Sequence, residues 1–246
     1  MTHLTQPASC MTLTGHYRHE LKYQITYADY LALRQRLRPV MKADPHTGPD
    51  GRYQIRSIYY DNYRDKALRE KVDGIQKRGK FRIRWYNDDL SFLTLEKKIK
   101  HNNLCMKVDA PITKEEFSRI LSAPGSWMLE HCESLVQELY CKIQSQQLQP
   151  RVVVSYVREP YVYAAGNVRV TFDSQIRTTM YHPLNIADPD CSTSQITDIS
   201  ATDTPQDMIL EIKFDAFLPD IIADLVQSEG LRQQAFSKYG ACRRYG

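Results

Sequence analysis

Hydrophobic and polar residues alternate along most of this chain, and the alternation is interrupted at a few places by helical spacing. Residues 15–25 read as a strand, with Tyr17, Leu21 and Tyr23 opposed to Arg18, Glu20 and Lys22. Thr26 followed by Asp29 resembles a capping box, and Tyr30, Leu31, Leu33 and Leu37 recur at helical spacing until Pro39 ends the run. After the turn residues of 46–51, residues 53–60 alternate again and are rich in aromatic and β-branched side chains. A short helix is expected over 64–71, then serial antiparallel strands over 80–86, 91–99 and 104–109, joined by hairpin turns at 87–89 and 101–103. Thr113 with Glu116 caps another helix, and 127–145 carry Leu129, Leu135, Val136, Leu139 and Ile143 on one helical stripe. Strands return at 151–162, 167–173 and 208–214, and a final helix is expected over 219–228. Residues 1–14 read as a loose leader, and the polar run 186–205 as a loop or lid. With no repeat or linker to divide it, 15–246 is read as one α+β domain, mainly antiparallel sheet with helices attached.

Composition changes this picture little. Thirty-three Lys and Arg against 29 Asp and Glu leave a net charge of only +4, too mild to wrap a long duplex. Any anion site must therefore come from local clustering. The six cysteines show no C-x-x-C spacing, which argues against a structural zinc or redox dithiol and suits a reducing cytoplasm. Neither a signal peptide nor the roughly 18 consecutive apolar residues of a membrane helix is found, so a cytoplasmic protein is expected.

The chemistry lies in which residues share a strand face. Arg82 and Arg84 oppose Phe81, Ile83 and Trp85; Glu96 and Lys98, then Arg169, Thr171 and Asp173, then Glu211 and Lys213, repeat the arrangement. Charged faces can simply meet water over an apolar core. A barrel offers another arrangement, with charged faces turned into a lumen and apolar faces turned outward against helices. That lumen would carry Arg18, Lys22, Arg82, Arg84, Lys98, Lys107, Arg158, Arg169, Lys213 and Lys238 against Glu20, Glu96, Asp173 and Glu211. Guanidinium forks match phosphate oxygens bidentately, and a few carboxylates suit a divalent metal shared with phosphates, so triphosphate chemistry is the inference.

At these residues, over about 17–240, the sequence resembles the VTC domain family, the polyphosphate polymerase branch of the triphosphate tunnel metalloenzymes. The likeness runs through short ordered motifs: Arg18-His-Glu-Leu-Lys22-Tyr, Ser57-Ile-Tyr-Tyr-Asp61-Asn, Lys80-Phe-Arg82-Ile-Arg84-Trp-Tyr, Leu95-Glu96-Lys-Lys98, Tyr156-Val-Arg158, Val168-Arg169-Val-Thr-Phe-Asp173, Leu210-Glu211-Ile-Lys213 and Phe236-Ser237-Lys238-Tyr. The resemblance implies an eight-stranded antiparallel tunnel holding ATP and a growing polyphosphate chain. It would assign Arg82, Arg84, Lys98, Arg158 and Lys238 to phosphoryl transfer. Lys22, Lys107, Tyr156, Arg169 and Ser237 would hold the triphosphate, together with Arg18 and Lys213 from the charged strand faces, and Glu211 a Mn²⁺ or Mg²⁺ ion. Related hydrolases open with a Glu-x-Glu-x-Lys strand; here Arg18 stands in the first place, which favours a polymerase. The family's further lysine before Phe-Ser-Lys is absent, Gln233, Gln234 and Ala235 standing there instead.

Other readings are narrower. Residues 74–80 fit G-x-x-x-x-G-K, but Phe81 occupies the Ser/Thr position and a strand follows, so the stretch is taken as a hairpin turn. His16 and His19 lack the companions of a metal site. The tyrosines, expected mostly in core packing, leave single-stranded nucleic acid a minor alternative with no sequence specificity. Lys66, Arg69 and Lys71 read as a solvated helix face. A triphosphatase using the same tunnel and a non-catalytic polyphosphate-binding module stay open. Family analogy alone suggests a membrane-protein partner at the inner face of a membrane.

Overall fold

The computed structural model describes residues 16–180, 199–201, 208–228 and 230–243. Ten strands alternate with helices: β1 (Arg18–Ile25), α1 (Tyr27–Leu37), β2 (Lys42–Ala43), β3 (Tyr53–Asp61), α2 (Lys66–Val72), β4 (Lys77–Tyr86), β5 (Asp89–His101), β6 (Leu104–Ile112), α3 (Lys114–Ser122), α4 (Ser134–Gln146), β7 (Gln149–Tyr163), β8 (Val168–Met180), β9 (Ile199–Ser200), β10 (Met208–Phe214), α5 (Asp220–Val226) and α6 (Lys238–Cys242). Eight of the strands form one antiparallel ring in the order β7-β3-β4-β5-β6-β1-β10-β8, closed by pairing of β8 with β7. The two-residue strands β2 and β9 attach outside it, to β7 and β8. The weakest seam lies between β1 and β6, which pair only through Arg18 with Cys105 and His19 with Leu104.

Local sequence accounts for the joints. The capping boxes form as expected: Thr26 Oγ1 accepts from the Asp29 amide while Asp29 accepts from the Thr26 amide, and Thr113 and Glu116 do the same. Asn87 and Asp88 both adopt positive φ, the geometry of a two-residue hairpin that follows strand twist, and join β4 to β5. Asn102, at φ 54°, turns β5 into β6.

Outer faces of the ring are apolar and covered by helices. Phe81, Ile83, Trp85, Leu93, Leu95, Ala110 and Ile112 pack against α3 and α4 through Phe117, Ile120, Leu135, Val136 and Leu139. Across the ring, Ile25, Val170, Phe172, Leu210 and Ile212 meet Tyr30, Leu33 and Leu37 of α1 and Ile222 and Val226 of α5. Each fully buried aliphatic side chain contributes roughly 1.5–3 kcal/mol, so the outward faces anchor the ring.

Three expectations need correction. The helix expected over 127–145 is a short 3₁₀ turn, Ser126–Leu129, followed by α4; between them His131 Nδ1 accepts the Glu133 amide and its carbonyl accepts from Gln137 Nε2, which starts the helix afresh. The expected hairpin over 74–80 is a helix exit: Gly74, at φ 70°, ends α2, and Gly79 lies within β4. Lys71 is not simply a solvated residue, since it lines the internal cavity. The leader 1–14 and, of the lid expected over 186–205, residues 186–198 and 202–205 lie outside the described residues. No helix among the described residues is long and apolar enough to cross a membrane.

Candidate functional site

Strand alternation that turns apolar residues outward turns charge inward. The ring encloses a cavity of about 780 Å³, lined by eleven Lys or Arg side chains and two carboxylates, Glu20 and Glu211. Five strands supply inward positions in steps of two: Glu20 and Lys22 from β1; Lys80, Arg82 and Arg84 from β4; Lys98 and Lys100 from β5; Tyr156 and Arg158 from β7; Glu211 and Lys213 from β10. The short helix α6 adds Lys238 and Tyr239, and the preceding Ser237 caps it by accepting the Gly240 amide.

Four buried carboxylates hold the cations in place. Glu96 accepts from Arg82 Nε at 2.6 Å and faces Arg84 and Lys107, each at 3.6 Å. Asp173 takes a bidentate fork from Arg158, at 2.6 and 2.7 Å, and Lys238 Nζ at 2.5 Å. Glu20 accepts from Lys98 at 2.6 and 2.8 Å and lies 3.3 Å from Lys22. Glu211 meets Arg158 at 3.1 Å and Lys22 and Lys213 at 3.5 Å each. Two phenols complete the arginine layer: Arg82 Nη1 donates to Tyr59 at 2.7 Å and Arg84 Nη2 to Tyr156 at 3.2 Å.

The electrostatics follow from this packing. Burial works to raise the Glu20 carboxyl, but Lys22 and Lys98 outweigh it and hold the group down to about 2. Glu96, Asp173 and Glu211 are held below the ordinary range against the same burial by the cations just named. For cations the balance differs from site to site. Lys22, between two carboxylates, stays charged well above its usual range in spite of burial, whereas burial carries Lys213 down to about 8. Tyr59 falls to about 7, because Arg82 and Lys80 outweigh the burial that opposes its ionisation. A wall of immobilised, surplus positive charge is suited to a polyanion, whose oxygens can replace water around cations that are already oriented.

Of the residues the sequence marked, Lys22, Arg82, Arg84, Lys98, Tyr156, Arg158, Glu211, Lys213, Ser237 and Lys238 converge on the cavity. Three do not line it. Arg18, at the start of β1, turns to Asp215 at 2.8 Å and the Asn167 carbonyl. Arg169 is drawn past the Arg158 layer to Asp44 and the Tyr53 hydroxyl. Lys107, beside the short β1–β6 seam, is half exposed and divided between Glu96 and Asp109. Sequence reasoning left Lys80 and Lys100 unassigned, although Lys80 shares the parity of Arg82 and Arg84. It also expected core tyrosines where Tyr59 and Tyr239 line the cavity.

Among the described residues no three His, Cys, Asp or Glu side chains converge as a ready metal cage. An oxygen-only donor set is nevertheless present. Glu211 and Glu20 share Lys22 between them, and beside Glu211 on β8 the Thr171 hydroxyl is buried with no hydrogen-bond partner among the described residues. Hard donors of this kind fit Mg²⁺ or Mn²⁺, which bind through one or two carboxylates and complete their shells with water and substrate phosphates.

Among solved structures, the fold is similar to a protein of Bacillus halodurans described provisionally as an adenylate cyclase, at 14% identity and TM-score 0.47, covering 81% of each chain. It is similar to a conserved hypothetical protein of Pyrococcus furiosus at 11% identity and TM-score 0.42, covering 85% of each chain. The protein PH1012 of Pyrococcus horikoshii shares 10% identity at TM-score 0.44, over 90% of this chain and 96% of its own. Among curated proteins nothing matches significantly. The decisive finding is a family model, described as VTC domain, that matches residues 17–245. That span takes in every strand of the ring and α6, and the chain belongs to the VTC domain family.

Proposed function

We propose that this protein is a metal-dependent polyphosphate polymerase, transferring the γ-phosphate of ATP to a growing polyphosphate chain inside the ring. The observation that carries the reading is the cavity itself: eleven cationic side chains against two carboxylates, with the arginines held by buried carboxylates and phenols. The family supports the same chemistry.

In the reaction, a terminal oxygen of the chain attacks the γ-phosphorus in line. The bond from that phosphorus to the bridging oxygen breaks, ADP leaves, and the chain gains one phosphate. Phosphoryl transfer demands little covalent help, so the protein's work is positioning and charge neutralisation. Arg82, Arg84 and Arg158 hold the transferring group. Lys98 and Lys238 neutralise the flanking phosphates, and Lys22, Lys213, Tyr156 and Ser237 orient the rest. Glu211, with Glu20, would hold Mn²⁺ or Mg²⁺, which supplies charge neutralisation at the phosphate oxygens.

Incubation with γ-labelled ATP and Mn²⁺ or Mg²⁺, resolved on a gel beside ADP and free-phosphate assays, tests this. A ladder of labelled chains with matching ADP is expected. Free phosphate without chains would instead establish a tunnel hydrolase, and tight polyphosphate binding without turnover a binding module.

A further inference from the structure

Cations on the cavity wall are of two kinds. Lys22, Lys98, Lys213, Lys238 and Arg158 each touch a carboxylate, so an arriving phosphate must compete with a bonded partner. Lys80 is different. No carboxylate among the described residues pairs with it; its Nζ lies 5.0 Å from the ring centroid of Tyr59 and 5.5 Å from that of Tyr239. Carboxylates that line the neighbouring space are committed elsewhere. Asp61 accepts from the Tyr239 hydroxyl and from two amides of α2, Glu70 pairs with Lys66, and Glu138 pairs with Lys97.

Position strengthens the case. Lys80 lines both the main cavity and a smaller groove of about 270 Å³ bounded by α2, β4, β5 and α4, and the two share Ala67, Arg78, Gly79 and Lys80. Lys80 therefore borders both spaces, with its ammonium on the side of Tyr59 and Tyr239. Aromatic faces stabilise an ammonium without satisfying its hydrogen bonds, since they offer no lone pair in place of water.

We propose that Lys80 is a phosphate-binding residue of the tunnel, a cation that receives an entering phosphate oxygen without first releasing a carboxylate. The inference rests on reading the tunnel as a polyphosphate site and adds to it a residue and a proton. Burial, and then the facing cations Lys98, Arg82 and Lys22, push the empty tunnel's Lys80 down to about 8, while Tyr59 opposes them. The remaining groups facing it are Tyr239 and Cys242 of α6, Lys71 of α2 and Lys142 of α4. An anion at the ammonium favours the charged form. Between about pH 8 and the ordinary lysine range, binding therefore draws one proton from solvent onto the Lys80 amine, and affinity falls as pH rises through 8.

Calorimetric titration of the full chain with tripolyphosphate, from pH 7 to 9.5 in buffers of different ionisation enthalpy, tests this without requiring turnover. Wild type should bind with proton uptake that appears near pH 8. Lys80→Met should weaken binding at pH 7 at least about tenfold, as loss of a charge-assisted hydrogen bond does, and lower the proton uptake near pH 8 by about one proton. Lys80→Arg, which keeps a charge that does not titrate, should retain affinity within about threefold and show the same loss of about one proton. It decides the matter if the methionine variant does not fold. The proposal is overturned if Lys80→Met binds like wild type. It is equally overturned if Lys80→Arg takes up as many protons as wild type, the uptake then belonging to Lys213, which is also carried down to about 8. Absence of tripolyphosphate binding by wild type would overturn the tunnel reading itself.

Discussion

Arg158 and Glu159 are neighbours on β7, and each is the centre of a charge cluster. On the outer side, Glu159 accepts four donors: Arg34 at 2.6 Å, Tyr161 at 2.5 Å, Tyr30 at 2.7 Å and Arg52 at 3.1 Å. Phe172, packed edge-on against Tyr30, helps to close that cluster against the core. Inside, Arg158 bridges Asp173 and Glu211 at the edge of an open cavity in which cations outnumber carboxylates. Both clusters contain buried, shifted groups: burial and the Glu159 carboxylate raise the Tyr161 hydroxyl to about 12 in the outer one, and, against burial, Arg158 is held well above its usual range by Asp173 and Glu211 in the inner one. Shifted titration alone therefore does not mark a site. What separates the two is unspent charge next to empty space: Glu159 has used its donors to fasten α1 to the ring, whereas the inner wall has capacity left for a polyanion.

The widest separation between the two clusters should come from Arg82→Ala. Turnover of ATP into chains should fall by about two to three orders of magnitude, the loss expected when an oriented donor to a developing charge is removed. Thermal unfolding should change little, because Glu96 keeps Arg84 and Lys107. Glu211→Ala should also cost turnover by more than about tenfold and raise the metal concentration for half-maximal activity, read by titrating Mn²⁺. Glu159→Ala should do the reverse. It strands two arginines and two phenols, so urea unfolding should show a loss of about 2 kcal/mol, discounted for the partial exposure of the arginines, while the KM for ATP stays within twofold.

Acid sharpens the contrast in a graded way. Glu20 is held at about 2 when folded, against 4.5 for the free group, so its contribution is full above pH 4.5 and is lost as pH falls toward 2. Unfolding midpoints in urea should be flat above about pH 5 and decline below 4.5; constancy down to pH 3 would contradict the paired inner wall. Smallest of all, Arg18→Ala should alter turnover less than twofold, since that guanidinium faces Asp215 and not the cavity.

Reading the sequence recovered the eight strands of the ring, both capping boxes and most of the inner wall, because alternation is a local property and any closed sheet turns one parity inward; the two-residue strands β2 and β9 escaped it. It missed where parity continued into a stretch read as a turn. Gly79 concealed that β4 begins at Lys77, three residues before the expected strand start at Lys80, which shares the parity of Arg82 and Arg84. It overextended the site at Arg18, Lys107 and Arg169, which have the right character but stand at strand ends or beside the short seam, where Asp215, Asp109 and Asp44 compete for them.

What the sequence determined by itself was the division of each strand into a charged and an apolar face, fixed by a two-residue period that survives in any tertiary setting. Only the closed ring decided which charged residues meet. Glu20 and Lys98 are 78 residues apart and Arg158 and Glu211 are 53 apart, and their contact depends on strand order and register across several hydrogen-bonded neighbours. Charge balance inside the cavity is set by those long-range contacts, so the surplus that suits the wall to a polyanion exists only in the folded chain.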